Sequence, residues 1–230
     1  MSAKVTVMSP QQVFDRMTGE GDVLLHALDA HVAQRPDKLL MHYGDENLDL
    51  SYAEFAARTR RMASLLALQG VSAGDHVSVH AQNALVTALS MFAIWRLGAV
   101  FAPINYNLRG RFLTYQVNDT APKAIIADEP GVALVKGLRA DMPDFTLIGP
   151  GGDVETYEAD APLPHTPPLG AADTAAIIYT SGTTGPAKGV RLGHRWINQY
   201  CYTSRDINTP EDVVHCDLPL YHVGGAFNLF

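Results

Sequence analysis

Cysteine is scarce in this chain of 230 residues: only Cys201 and Cys216 are present, in no metal-ligand spacing, as thiols ordinary in a reducing compartment. Long apolar runs are missing too. The longest, Ala84 to Leu97, is interrupted by Thr87, Ser90 and Arg96 and falls short of the roughly 20 residues that span a bilayer, so it reads as a buried helix and no transmembrane segment is expected. Blocks of like charge are also lacking. The formal net charge of -7 comes from scattered acids, which leaves no electrostatic footprint for nucleic acid or an anionic membrane. The first twenty residues offer only Val5 to Met8, beside Lys4, too little for a signal-peptide core, and the protein reads as cytoplasmic. Nine histidines do not amount to a metal site, because the one suggestive pair, His76 and His80, lies in a strand-like stretch where four residues separate the rings too far for co-ligation. There is no internal repeat and no heptad pattern.

What is present is apolar residue, 47% of the chain, enough to bury the core of one large domain or two small lobes. Leu24, Leu25, Leu28 and Val32 stand at helical spacing ahead of Pro36, and a short strand is expected over Lys38 to Tyr43. Ser51-Tyr52-Ala53-Glu54 is a capping box. Behind it Tyr52, Phe55, Ala56, Thr59, Met62, Ala63 and Leu66 form one stripe, which Gly70 closes. A strand over Asp75 to His80, a helix behind the cap candidate Asn83, and a strand over Ala99 to Pro103 follow. A helix around Arg111 to Val117, a strand over Lys123 to Ala127, a weaker helix and a strand over Phe145 to Ile148 complete the alternation of an α/β fold with a largely parallel sheet flanked by helices. Pro162, Pro164, Pro167, Pro168 and Gly170 then argue for a surface connection. The expected organisation is a first lobe over residues 1–159, a connection over 160–173, and a phosphate-loop segment with the start of a second, incomplete lobe over 174–230.

After the connection, a strand over Thr174 to Tyr179 runs into Thr180-Ser181-Gly182-Thr183-Thr184-Gly185-Pro186-Ala187-Lys188-Gly189-Val190. Three glycines allow the backbone N–H groups to approach an anion closely, and four hydroxyls with one ammonium add donors. The implied ligand is a polyphosphate. The run is not the Walker pattern, which needs four residues between its glycines and a Gly-Lys-Ser/Thr ending that opens a helix. Here Lys188 leads into Gly189-Val190-Arg191-Leu192, so a strand–loop–strand clamp is expected.

This run resembles the phosphate-loop signature of the adenylate-forming (AMP-binding) superfamily, which includes acyl-CoA synthetases, luciferases and peptide-synthetase adenylation domains. Ala187 stands where the usual pattern has proline, with Pro186 one residue earlier. Ser51 to Glu54, Gly74-Asp75-His76-Val77, Gly98-Ala99-Val100 and Pro103-Ile104-Asn105 are similar to the family's amino-terminal stretches, in the same order, so the likeness covers the chain from about Leu24. The resemblance implies ATP-dependent activation of a small carboxylic acid, release of pyrophosphate and transfer of the acyl group to coenzyme A, with Mg2+ as cofactor. It assigns Thr180, Ser181, Gly182, Thr183, Thr184, Gly185 and Lys188 to the ATP phosphates, with Thr184 beside the metal.

Asp217-Leu218-Pro219-Leu220-Tyr221-His222-Val223-Gly224-Gly225 reads as the end of a strand entering a glycine-rich turn. It resembles the family segment that borders the carboxylate pocket, which makes Tyr221, His222, Gly224 and Gly225 candidates for the acyl side of the site. His222 could orient the carboxylate, and the glycines could leave room for an acyl chain. The family's adenine-binding segment, ribose-binding aspartate, hinge and carboxy-terminal domain with its lysine have no counterpart here. The chain stops at Ala226 to Phe230 inside an apolar element without a polar cap, which suggests a truncated portion that is inactive alone, completed by a carboxy-terminal part or by self-association. Other readings stay open: another adenylating enzyme, of the peptide-synthetase or luciferase kind, or a non-catalytic nucleotide- or partner-binding module.

Overall fold

The structure, a computed structural model, describes residues 9–12, 23–165, 168–180, 186–209 and 211–227, with the side chains of 202–207 left aside. Helix α1, Leu24–Gln34, buries Leu24, Leu25 and Leu28 and ends at Arg35, since Pro36 cannot continue it. Strands β1, Leu39–Tyr43, and β2, Leu48–Ser51, form an antiparallel pair. Ser51 then starts α2, Tyr52–Leu68, through a complete capping box: the Glu54 N–H donates to Ser51 Oγ at 3.2 Å and the Ser51 N–H to Glu54 Oε2 at 2.8 Å. The stripe behind it is buried from Phe55 to Leu66, as its spacing requires.

The central sheet begins with β3, His76–His80, and α3, Ala84–Arg96, whose first turn is capped by Asn83 Oδ1 accepting from the Val86 N–H at 3.0 Å. Next come β4, Val100–Pro103, α4, Gly110–Thr120, β5, Ala124–Ala127, α5, Glu129–Leu138, and β6, Thr146–Ile148. Beyond the proline-rich stretch lie β7, Thr174–Thr180, β8, Lys188–Gly193, α6, His194–Ile207, and a single turn α7, Val223–Ala226.

Six strands form one sheet in the order β6-β5-β3-β4-β7-β8, parallel except for the β7–β8 pair. Every residue of β4 and β5 is buried, which is why these strands read as continuous apolar runs rather than alternating ones. One face is covered by α2 and α3, where Phe55, Phe92 and Trp95 stack edge to face at 5.4 and 5.2 Å between ring centres. On the other, Leu113 and Val117 of α4 pack with Val132 and Val135 of α5 over Ile125 and Leu147. The chain leaves β3 toward β4 and returns past β3 to reach β5, so the strand order reverses at β3. In such sheets ligands settle outside the carboxyl ends of the strands.

The proline-rich connection is strapped to α2. Glu158 accepts from Arg58 at 3.0 Å and from Arg61 at 2.6 Å, and Ser64 Oγ donates to the Ala161 carbonyl at 2.7 Å. It passes from β6 to β7, and both belong to the same sheet. No helix among the described residues is long and apolar enough to cross a membrane.

Two expectations need correction. No strand runs into the second glycine-rich segment: the described residues from Glu211 to His222 form turns and irregular chain without a strand, and the element that follows is the helical turn α7. Pro219 offers no N–H to a ladder, and the His222 ring caps the turn by accepting from the Gly224 N–H. Helix α6 was not anticipated at all, although His194, Ile197, Asn198 and Cys201 are buried at helical spacing.

Candidate functional site

Strand β7 lies parallel to β4 and its carboxyl end, Thr180, stands on the edge where β3, β4 and β5 also end. From there the chain enters the hydroxyl-rich run and returns as β8, with Thr180 opposite Lys188 and Tyr179 opposite Gly189. The strand–loop–strand arrangement expected from the sequence is therefore present. Thr180 is exposed, its Oγ1 directed at the Lys188 carbonyl over 3.5 Å, and Lys188 is exposed at the start of β8 without an ion pair among the described residues. Ser181, Gly182, Thr183, Thr184 and Gly185 lie outside the described residues. The structure thus fixes the two posts of the loop.

The posts are tied to the carboxyl half of α4. Tyr179 donates its hydroxyl proton to Asp119 Oδ2 at 2.6 Å, so the contact with Thr120 Oγ1 at 2.9 Å has threonine as the donor. Burial first, then the bond to Asp119, pushes the Tyr179 phenol well above its ordinary range, and it stays a donor at any physiological pH. The Tyr115 hydroxyl donates to the Ala187 carbonyl at 3.0 Å. Gly189 is needed opposite Tyr179: a Cβ there would come within 2.9 Å of Ile177 Cγ2 and 3.2 Å of the tyrosine ring.

The second motif reaches the same edge through an aromatic contact. Tyr106, three residues past the end of β4, meets Tyr221 edge to face at 5.3 Å between ring centres. His222 is exposed, and because its Nδ1 accepts from the Gly224 N–H at 3.3 Å, the ring carries its proton on Nε2, away from the turn. Gly224 is half-buried beside Leu218. Gly225 is buried, and a Cβ there would fall 2.2 Å from the Pro219 carbonyl oxygen, so the space it leaves is taken by its own chain. Leu220 and Ala226 close against Thr87, Met91 and Phe101 with no room for a water molecule.

Sequence reasoning missed Tyr106, Tyr115 and Tyr179. Tyr106 directly follows the Pro103-Ile104-Asn105 stretch, a signal that could have found it, whereas the link between Tyr115 and Ala187 spans 72 positions and has no local trace. Among the described residues no group of three or more His, Cys, Asp or Glu could hold a metal ion. A groove of about 660 Å3 lies elsewhere, between Ser64 and Leu68 of α2, Val71 to Ala73 and Pro162 to His165. Val71 to Ala73 precede β3, which puts that groove toward the amino ends of the strands.

A largely parallel sheet whose carboxyl edge bears a glycine- and hydroxyl-rich β-hairpin defines an α/β protein of the adenylate-forming class. Comparison with known proteins agrees: the chain belongs to the family of AMP-binding enzymes, whose family model matches residues 28–230. An indoleacetate–CoA ligase of Aromatoleum aromaticum is 32% identical over 213 residues, 87% of this chain and 41% of the ligase. The medium/long-chain-fatty-acid–CoA ligase FadD6 of Mycobacterium tuberculosis is 31% identical over 200 residues, 83% of this chain and 33% of the ligase. ATP-bound MatB from Rhodopseudomonas palustris superposes with a TM-score of 0.72 at 29% identity, covering 94% of this chain and 41% of that one. The chain therefore spans less than half the length of each of these relatives.

Proposed function

We propose that the chain supplies the phosphate-holding hairpin and one wall of the acyl pocket of an AMP-forming carboxylate–CoA ligase. The observation that carries this reading is the β7–β8 hairpin, which sets Lys188, exposed and without an ion pair among the described residues, at the carboxyl edge of a parallel sheet. An ammonium there, with the Thr180 hydroxyl opposite, suits the charge of a polyphosphate. In the proposed reaction a carboxylate oxygen attacks the α-phosphorus of ATP and pyrophosphate leaves. The thiol of coenzyme A then displaces AMP, and a thioester forms. Mg2+ would offset the phosphate charge, with Thr184 as the candidate hydroxyl beside it. His222 would present its Nε2–H to the substrate carboxylate, with Tyr221 and Tyr106 forming the adjoining wall.

Two relatives named as CoA ligases support coenzyme A as acceptor. The thiols Cys201 and Cys216, in no disulfide among the described residues, fit a cytoplasmic enzyme. The division proposed is an α/β lobe over residues 1–159, a connection over 160–173, and over 174–230 the phosphate segment that begins a second lobe. Calorimetric titration with magnesium pyrophosphate and with MgATP tests the reading: binding by the wild-type chain that is lost in Lys188→Ala supports it. Equal binding by both proteins would remove Lys188 from the site.

A further inference from the structure

Helix α4 touches the hairpin at both of its posts. On the outgoing strand, Asp119 and Thr120 hold the Tyr179 hydroxyl at 2.6 and 2.9 Å; on the returning strand, Tyr115 holds the Ala187 carbonyl at 3.0 Å. Tyr115 and Asp119 are four residues apart, hence on one face of the helix. The Ala187 carbonyl and the Lys188 N–H belong to one planar peptide, so a donor that fixes the carbonyl oxygen also fixes the N–Cα bond from which the Lys188 side chain departs. Beyond that point β8 is an edge strand with β7 as its neighbour in the sheet, so its first residues are held from one side by the ladder that pairs Lys188 with Thr180. Tyr115 is 37% exposed and the core does not depend on its hydroxyl.

We infer that Tyr115 is a positioning residue for Lys188: with Tyr179 as the fixed counter-post, its hydroxyl sets the peptide that aims the ammonium at the phosphates. This rests on the proposed phosphate role of Lys188. The consequence is a site whose donor geometry is set by a helix remote in sequence, so that the hairpin need not reorganise fully each time a ligand arrives.

The test uses Tyr115→Phe, which removes one oxygen and no packing surface, with Tyr179→Phe as a second variant. Two readouts separate the clamp from the phosphate reading. Amide hydrogen exchange of the unliganded chain is expected to rise several-fold at Lys188 and Gly189 in Tyr115→Phe, while β3 and β5 stay protected and the melting temperature holds. Affinity for magnesium pyrophosphate is expected to fall about fivefold, the worth of one ordinary hydrogen bond. Unchanged exchange at Lys188 and Gly189 would overturn the clamp, whether or not the wild type binds pyrophosphate. Raised exchange with unaltered pyrophosphate affinity would show that the tether exists but does not position Lys188, and would equally overturn the proposal.

Discussion

The indole N–H of Trp95 donates to the carbonyl oxygen of Ala175 at 2.9 Å, joining α3 to β7 across 80 positions of the chain. Ala175 sits at an irregularity in the β7–β8 register, next to the bridge that pairs Ala176 with Phe101 of β4. Trp95 therefore adds a side-chain bond from α3 to the hairpin-bearing strand, beside the backbone pairing of that strand with β4.

Trp95→Phe should destabilise the protein by about 1–3 kcal/mol through the lost hydrogen bond to Ala175 together with imperfect packing in a fully buried site. Equilibrium unfolding in urea measures this, with the slope unchanged. A loss below roughly 0.5 kcal/mol would show that water replaces the indole.

Gly131 behaves unlike an ordinary helical glycine. Substitution by alanine in a helix usually stabilises by about 1 kcal/mol, yet a Cβ at Gly131 would lie 2.2 Å from the His80 carbonyl oxygen and 2.9 Å from its Nδ1. Gly131→Ala should destabilise by about 2 kcal/mol or more, read by thermal unfolding. A stabilised variant would mean that α5 does not lie so close to the end of β3.

Two histidines should make stability fall in mild acid. His80 has both ring nitrogens buried without a partner, and His194 has its Nε2 so. Burial depresses each to about 4 from an ordinary 6.5, with Asp128 and Arg109 acting in opposite senses on His80, and Asp173 and His26 on His194. Above about pH 6.5 both folded and unfolded forms are neutral. Between about 6.5 and 4 the unfolded chain holds more protons, so stability drops over that window and levels off below it. Each ring can contribute on the order of 2–3 kcal/mol, and His80→Leu should remove about half of the slope measured by urea unfolding from pH 7 to pH 4.5. An unaltered slope would exclude His80 as a contributor.

The capping box offers a milder test. Ser51→Ala should lower stability by about 1 kcal/mol, and Glu54→Gln, which keeps a side-chain acceptor for the Ser51 N–H, by less. Thermal unfolding of the two variants checks the order.

Much of this fold was legible because its signals are local. The Ser51–Glu54 pair, the Asn83 cap and Pro36 each act within a turn of helix, and buried parallel strands announce themselves as short apolar runs between glycines and caps. The β7–β8 hairpin was legible for the same reason: turn formers sit between two strand-like stretches. Helix α6 escaped because Trp196, Ile197, Tyr200 and Tyr202 favour extended chain when taken singly, while the decisive spacing of His194, Ile197, Asn198 and Cys201 shows only when the segment is read at a helical period. The turn at His222 was mistaken for the end of a strand because a ring nitrogen capping a backbone N–H two residues on leaves little trace in apolar pattern. Tyr106, Tyr115 and Tyr179 act across the fold, on partners that no local window contains.

The most direct test of the central claim is an amide-resolved NMR titration of the 15N-labelled chain with magnesium pyrophosphate. The expected result is shifts concentrated at Thr180, Lys188 and Gly189, with smaller ones at Tyr115. Shifts confined to Ser64, Leu68, Ser72 and Leu163, around the groove on the opposite edge of the sheet, would contradict the account and move the anion site away from the hairpin.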